Sequence, residues 1–182
     1  MTVDDFLVWV ATQPKEAGRF ELIDGHVVSM QSERLVHTEV KFALASNFRD
    51  AIRRAKLPCH ALPDGALVRI SKTRAFEPDT LVYCGSRHPP DVIEVPDPII
   101  VCEVLSPDSL ERDHGEKLEG YFTVPSIQHY LIVDPDRQRV IHHRRGTGED
   151  IITRLYKSGT IKLDPPGIAV GVDDLYERDP DM

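Results

Sequence analysis

An α/β (α+β) fold, with a mixed central sheet flanked by helices, is predicted by the order of three patterns along the 182 residues. A short helical period opens the chain and an alternating pair of runs follows it. The longest helical stretch covers residues 33–56. From residue 59 onward come short apolar runs of strand length, interrupted by one further helical pattern. Sheet and helices in that order bury their apolar faces against each other, so one domain is expected over residues 1–182, with a polar tail at about 177–182.

The elements follow from local chemistry. Thr2 and Asp5 have the spacing of a capping box, so a helix is expected from Val3 to about Thr12, stopping before Pro14. Phe20-Glu21-Leu22-Ile23 and His26-Val27-Val28-Ser29 flank Asp24-Gly25, the turn pair of a tight hairpin. In the long helix Leu35, Val36, Val40, Leu44, Phe48 and Ile52 recur at helical spacing, with Lys41, Arg49, Asp50 and Arg53 assigned to the opposite face. Strands are expected near residues 59–62, 67–70, 80–84 and 99–105. The proline-rich and charged stretch 85–98 reads as a loop between the last two. Ser106-Pro107-Asp108-Ser109 starts a helix over about 110–123, which ends before Pro125. Strands follow near 127–133, 139–143, 151–156 and 160–163, then a helical turn near 173–176.

Composition narrows the class. The hydrophobic fraction is 41%, the charged fraction 29% and the net charge −8, as in a soluble globular protein and unlike a non-specific DNA-coating one. No run approaches the roughly 18 apolar residues of a membrane span. Asp4 and Asp5 stand where a secretory leader is basic, so no signal peptide is read. Cys59, Cys84 and Cys102 have no CxxC spacing and are expected as free thiols of a reducing cytoplasm, neither a disulfide framework nor a zinc knuckle.

The chemistry is expected where charge interrupts apolar strands. Glu103 lies within Ile99-Ile100-Val101-Cys102-Glu103-Val104-Leu105, and Asp79 precedes Thr80-Leu81-Val82-Tyr83. A buried unpaired carboxylate costs several kcal/mol, so each needs a compensating partner. Two carboxylates on neighbouring strands suit a hard cation such as Mg²⁺ or Mn²⁺, completed by water and substrate phosphate. Lys117 shares a helix face with Asp113 and Tyr121 and would steady charge developing at phosphorus. Glu21, in the hairpin, is the candidate third acid, and His37 a candidate at the site mouth. The competing structural explanations are a turn residue for Asp79, a core ion pair for Glu103 and an ordinary helix pair for Lys117 with Asp113. Lys41, Arg49, Arg53, Arg54, Arg69, Lys72 and Arg74 are basic side chains that could touch phosphate, although a solvated face explains such charges more often.

Several of these residues recur in one ordered set: Phe20-Glu21-Leu22-Ile23-Asp24-Gly25, His37, Pro78-Asp79, Glu103-Val104-Leu105-Ser106-Pro107, then Asp113, Lys117 and Tyr121, and finally Gln128-His129-Tyr130-Leu131-Ile132-Val133-Asp134-Pro135. The set resembles the bacterial family of putative restriction endonucleases of the Uma type, within the PD-(D/E)XK nuclease superfamily, over about residues 3–177. That resemblance implies a restriction-endonuclease-like fold with a four-stranded mixed core sheet, a divalent metal and DNA as substrate. By position it makes Asp79 and Glu103 metal ligands, and Glu21 the upstream acid. The lysine expected two residues after the glutamate is Leu105 here, and Lys117 stands where the family's displaced lysine falls.

Two functions are carried forward: a metal-dependent DNA endonuclease, and a catalytically inactive module of the same fold that binds nucleic acid or a partner protein. A homodimer that cuts two strands and a monomer are both open.

Overall fold

The computed structural model describes residues 1–30, 32–106 and 115–176. Helix α1 is Val3–Thr12, and its capping box forms as expected, with Thr2 and Asp5 bonding each other's backbone amides. The hairpin is also as expected, β1 Phe20–Ile23 against β2 His26–Ser29, with Asp24 and Gly25 both at positive φ. Helix α2 runs Leu35–Ala55 and ends on Lys56 in the left-handed region. The remaining strands are β3 Cys59–Pro63, β4 Val68–Ser71, β5 Arg74–Phe76, β6 Thr80–Cys84, β7 Pro98–Val104, β8 His129–Asp134, β9 Arg139–Arg145, β10 Ile151–Tyr156, β11 Thr160–Leu163 and β12 Ile168–Gly171. Helix α3 is Glu116–Thr123, the described part of the helix expected over about 110–123.

The central sheet has six strands, in the order β10-β9-β8-β7-β6-β3, rather than the four implied by the resemblance. It is mixed: β7 and β8 pair in parallel, and every other neighbour is antiparallel. Strands β2, β1, β5 and β4 form a second, antiparallel sheet, and β11 with β12 a two-stranded hairpin. Strands β5 and β12 were not expected from the sequence. Each is only three or four residues long and carries too little alternation to stand out from its turns.

One face of the six-stranded sheet packs Ile100, Cys102, Val104, Leu131 and Val133 under α2 and the β11–β12 hairpin. The other packs Val101, Leu105, Tyr130 and Ile132 under α3. Strand alternation therefore sends Glu103 to the α3 side with Val101. Helix α3 fits closely because it carries a glycine: a Cβ at Gly120 would stand 2.7 Å from a ring carbon of Phe76.

Two expectations are corrected. Cys59 and Cys84 are not free thiols. The β3–β6 register sets them opposite each other, and they are joined as a disulfide, a pairing that a separation of 25 residues does not announce. Cys102 is a buried free thiol, as expected. The polar face assigned to α2 is also wrong in detail: Lys41 is buried, whereas Leu35 is exposed. The apolar stripe is rotated slightly, so that His37, Lys41, Leu44, Phe48 and Ala51 share the inward side.

Candidate active site

The antiparallel register of β6 with β7 pairs Thr80 with Cys102 and so brings Asp79 beside Glu103 at the end of the sheet. The juxtaposition is direct: Asp79 Oδ2 accepts the backbone N–H of Val104 at 2.6 Å. Both carboxylates are buried, and so is Glu21 on β1. Lys117 comes from α3 and bridges the last two, its Nζ lying 2.9 Å from Glu103 Oε1 and 3.3 Å from Glu21 Oε1. Tyr121, one turn further along α3, donates its hydroxyl to Glu103 Oε1 at 2.5 Å. The structure thus gathers Asp79, Glu103, Glu21 and Lys117, four residues spread over almost a hundred positions.

The residue that sequence reasoning placed wrongly is Lys41. Its Nζ lies 2.6 Å from Asp79 Oδ1, 2.6 Å from Glu33 Oε1 and 3.4 Å from Asp64 Oδ1. Arg19 continues the chain of charge, 3.0 Å from Asp64 and 3.1 Å from Glu77, and the Glu77 amide returns to Glu21 Oε1 at 3.1 Å. A charged residue within the apolar stripe of α2 was the available signal for Lys41. It was lost when Lys41 was grouped with the exposed bases. Arg69 and Arg74, also considered for phosphate, are held by Glu94 with Asp4 and by Asp24 respectively.

The other candidates divide. Tyr121, read from the sequence as sharing a helix face with Lys117, is completely buried. Its hydroxyl is held against Glu103. His37 is buried one turn before Lys41, with its Nε2 3.2 Å from Arg34. Asp113 lies outside the described residues. His142 and His143 point to opposite sheet faces; His142 meets His129 and His143 meets Thr153.

The electrostatics is that of carboxylates in deficit of positive charge. Among the described residues six carboxylates (Glu21, Glu33, Asp64, Glu77, Asp79 and Glu103) are linked to three bases, Arg19, Lys41 and Lys117. Burial pushes the Asp79 carboxyl up to about 6, against the opposing pull of Lys41 and the Val104 amide. Burial likewise raises Glu77, with Arg19 opposing. Burial works against the charged form of Lys41, but Asp79, Glu33 and Asp64 together raise it. Burial and then Glu103 hold the Tyr121 hydroxyl well above the ordinary tyrosine range, so it stays a donor.

These residues fit a hard divalent cation by donor type: buried carboxylate oxygens at the ends of adjacent strands, inside a group with excess negative charge. They do not form an all-protein cage, since among the described residues no three His, Cys, Asp or Glu side chains converge on one point. An ion held by one or two carboxylates, with water and substrate oxygens completing its shell, needs no such cage.

Comparison with known proteins agrees with this architecture. The family model described as Uma2, putative restriction endonuclease, matches residues 3–173. A crystal structure of a putative nuclease belonging to DUF820, from Anabaena variabilis ATCC 29413, superimposes with a TM-score of 0.75 over 97% of each chain at 18% identity, a likeness of fold. A Synechocystis protein bearing the name uncharacterized protein sll1609 is 31% identical over 83 residues, which is 44% of this chain and 47% of that one, so the match spans about half of that relative. Among the described residues no helix is long and apolar enough to cross a membrane.

Proposed function

The chain belongs to the Uma2 family, described as putative restriction endonucleases, and on that premise we propose that it is a metal-dependent DNA endonuclease hydrolysing phosphodiester bonds. The observation that supports this most is the meeting of Asp79, Glu103 and Glu21 with Lys117 at one end of the sheet, in a cluster where carboxylates outnumber bases. Asp79 and Glu103 would hold Mg²⁺ or Mn²⁺. When bound, such an ion lowers the pKa of water and offsets charge on the scissile phosphate.

The chain's own residues supply the rest. The Val104 amide and Lys41 fix the two oxygens of Asp79 in direction. Tyr121 and Lys117 both hold Oε1 of Glu103. Lys117 would hold the attacking water and steady negative charge at phosphorus, while Glu21 keeps its ammonium from turning away. Asp79 must give up its proton to take a cation, so metal binding and cutting should rise with pH through about 6.

One observation favours the second function, an inactive module of the same fold. Lys41 already neutralises Asp79, and a permanently closed pair would need no metal. A supercoiled plasmid assay with Mg²⁺ or Mn²⁺ separates the two. Nicking that is abolished by EDTA, by Asp79→Asn and by Glu103→Gln is the expected result. The assignment is refuted if the protein does not cut, or if cutting survives both substitutions.

A further inference from the structure

A second concavity lies on the opposite face of the sheet from Glu103. Strand β9 contributes His142 and Arg144 to it, β10 contributes Arg154 and Tyr156, and β11 contributes Thr160 and Lys162. The register explains why they meet. His142 pairs with Arg154 and Arg144 with Ile152, so the two arginines are diagonal neighbours on one face. In β11, Ile161 and Leu163 turn into the core, which leaves Thr160 and Lys162 on the exposed side that lines the groove. The groove encloses about 460 Å³.

Its charge is opposite in sign to that of the chain as a whole. The chain carries a net −8, and Arg19, Arg69, Arg74 and Arg139 are each held by a carboxylate. Arg144, Arg154 and Lys162 have no carboxylate within ion-pair distance among the described residues. One acid, Asp164, lines the groove against these three cations.

The floor is polar in a defined sense. His129 Nε2 faces the Pro165 carbonyl oxygen at 2.9 Å, and a carbonyl only accepts, so Nε2 carries the hydrogen. His129 Nδ1 is then the acceptor for His142 Nε2–H at 2.9 Å, and a neutral His142 is left with Nδ1 as an acceptor. Burial, followed for His142 by the positive charge of its neighbours, depresses both rings, to about 4 and about 3, so both are neutral at physiological pH. A fitting occupant is therefore anionic at one end and carries a hydrogen-bond donor at the other. Tyr156, half-buried, and Ile152 offer an apolar wall to a flat ring.

We propose that the groove between β9, β10 and β11 binds a phosphate monoester of the mononucleotide class, its phosphate on Arg144, Arg154 and Lys162 and its base against Tyr156. The groove's volume is within the range of small-ligand sites. This binding is independent of the endonuclease assignment, because it uses none of the residues of that cluster.

Calorimetric titration of the full chain with deoxyadenosine 5′-monophosphate, inorganic phosphate and a ten-nucleotide single strand tests it. Saturable binding of the mononucleotide is expected, with inorganic phosphate weaker. Arg154→Gln and Arg144→Gln should each weaken the mononucleotide by about tenfold, as loss of a charge-assisted contact to phosphate does. Both arginines are exposed, so thermal midpoints should not move. Asp79→Asn should leave the affinity unchanged. No saturable mononucleotide binding, binding indifferent to both arginine substitutions, or binding of the oligonucleotide alone would each overturn the proposal.

Discussion

Replacing Lys41 by methionine would expose how the candidate site is balanced. The substitution keeps the length and apolar stem of the side chain but removes the ammonium 2.6 Å from Asp79 Oδ1. Breaking a buried pair from one side costs about 3–5 kcal/mol. Asp79 retains the Val104 amide, so the lower end, about 3 kcal/mol, is expected. For a chain of this size that corresponds to a fall in Tm of about 6–12 °C. The loss should depend on pH. The Asp79 carboxyl titrates near 6 in the folded chain and near 3.8 as its ordinary value, so the folded state binds its proton more tightly. Ionised Asp79 therefore subtracts stability as pH rises from about 4 through 6, and the subtraction is complete above that. Without Lys41 the carboxyl titrates higher still, so the variant should lie close to the parent below pH 4 and fall furthest behind at pH 8. Adding Asp79→Asn should recover most of the loss, giving a coupling energy of about 2 kcal/mol in a double-mutant cycle. Denaturant unfolding at pH 4.5 and 8 measures all of this. An equal deficit at both pH values, or no relief from Asp79→Asn, would refute the account of a buried pair.

Three other outcomes are expected. Tyr121→Phe removes the donor to Glu103 Oε1 while Lys117 remains, and should cost about 1.5–3 kcal/mol in chemical unfolding while retaining the fold by circular dichroism. Gly120→Ala would set a methyl 2.7 Å from the Phe76 ring, which itself packs on Tyr121 at 5.4 Å between centroids. Overpacking of this kind costs about 1–3 kcal/mol, read as a lower Tm. For the buried His129–His142 pair the sign is opposite to that of Asp79. Both rings titrate below the ordinary 6.5 when folded, so their contribution is whole above pH 6.5 and is lost as pH falls toward 4, by about 3 kcal/mol for His129 alone. His142→Phe should flatten stability against pH in that window, as followed by thermal melts.

Much of the molecule was legible in one dimension. The capping box at Thr2, the Asp24-Gly25 hairpin and the run from Ile99 to Leu105 are local patterns, and local sterics and hydrogen bonding decide such elements within a few residues. Glu103 was conspicuous for the same reason, since a charge inside an apolar strand has no local explanation. Glu103 and Asp79 were therefore visible as anomalies, and Lys117 and Glu21 stood out only beside them. Their partners were not. Lys41 reaches Asp79 from a helix 38 positions earlier, and Cys59 meets Cys84 across a strand register. The groove at Arg144, Arg154 and Lys162 likewise exists only because two strands of the sheet and a hairpin are laid side by side.

Periodicity along the chain reveals which side of an element turns inward, to within about one residue of rotation. It carries no information on what stands across the gap. The amino-acid order alone therefore specified where charge would be forced into the interior. Only the packing of α2, α3 and β1 onto the sheet decided which opposite charges would meet it there, because Coulomb attraction and desolvation act through distance in space and not along the backbone.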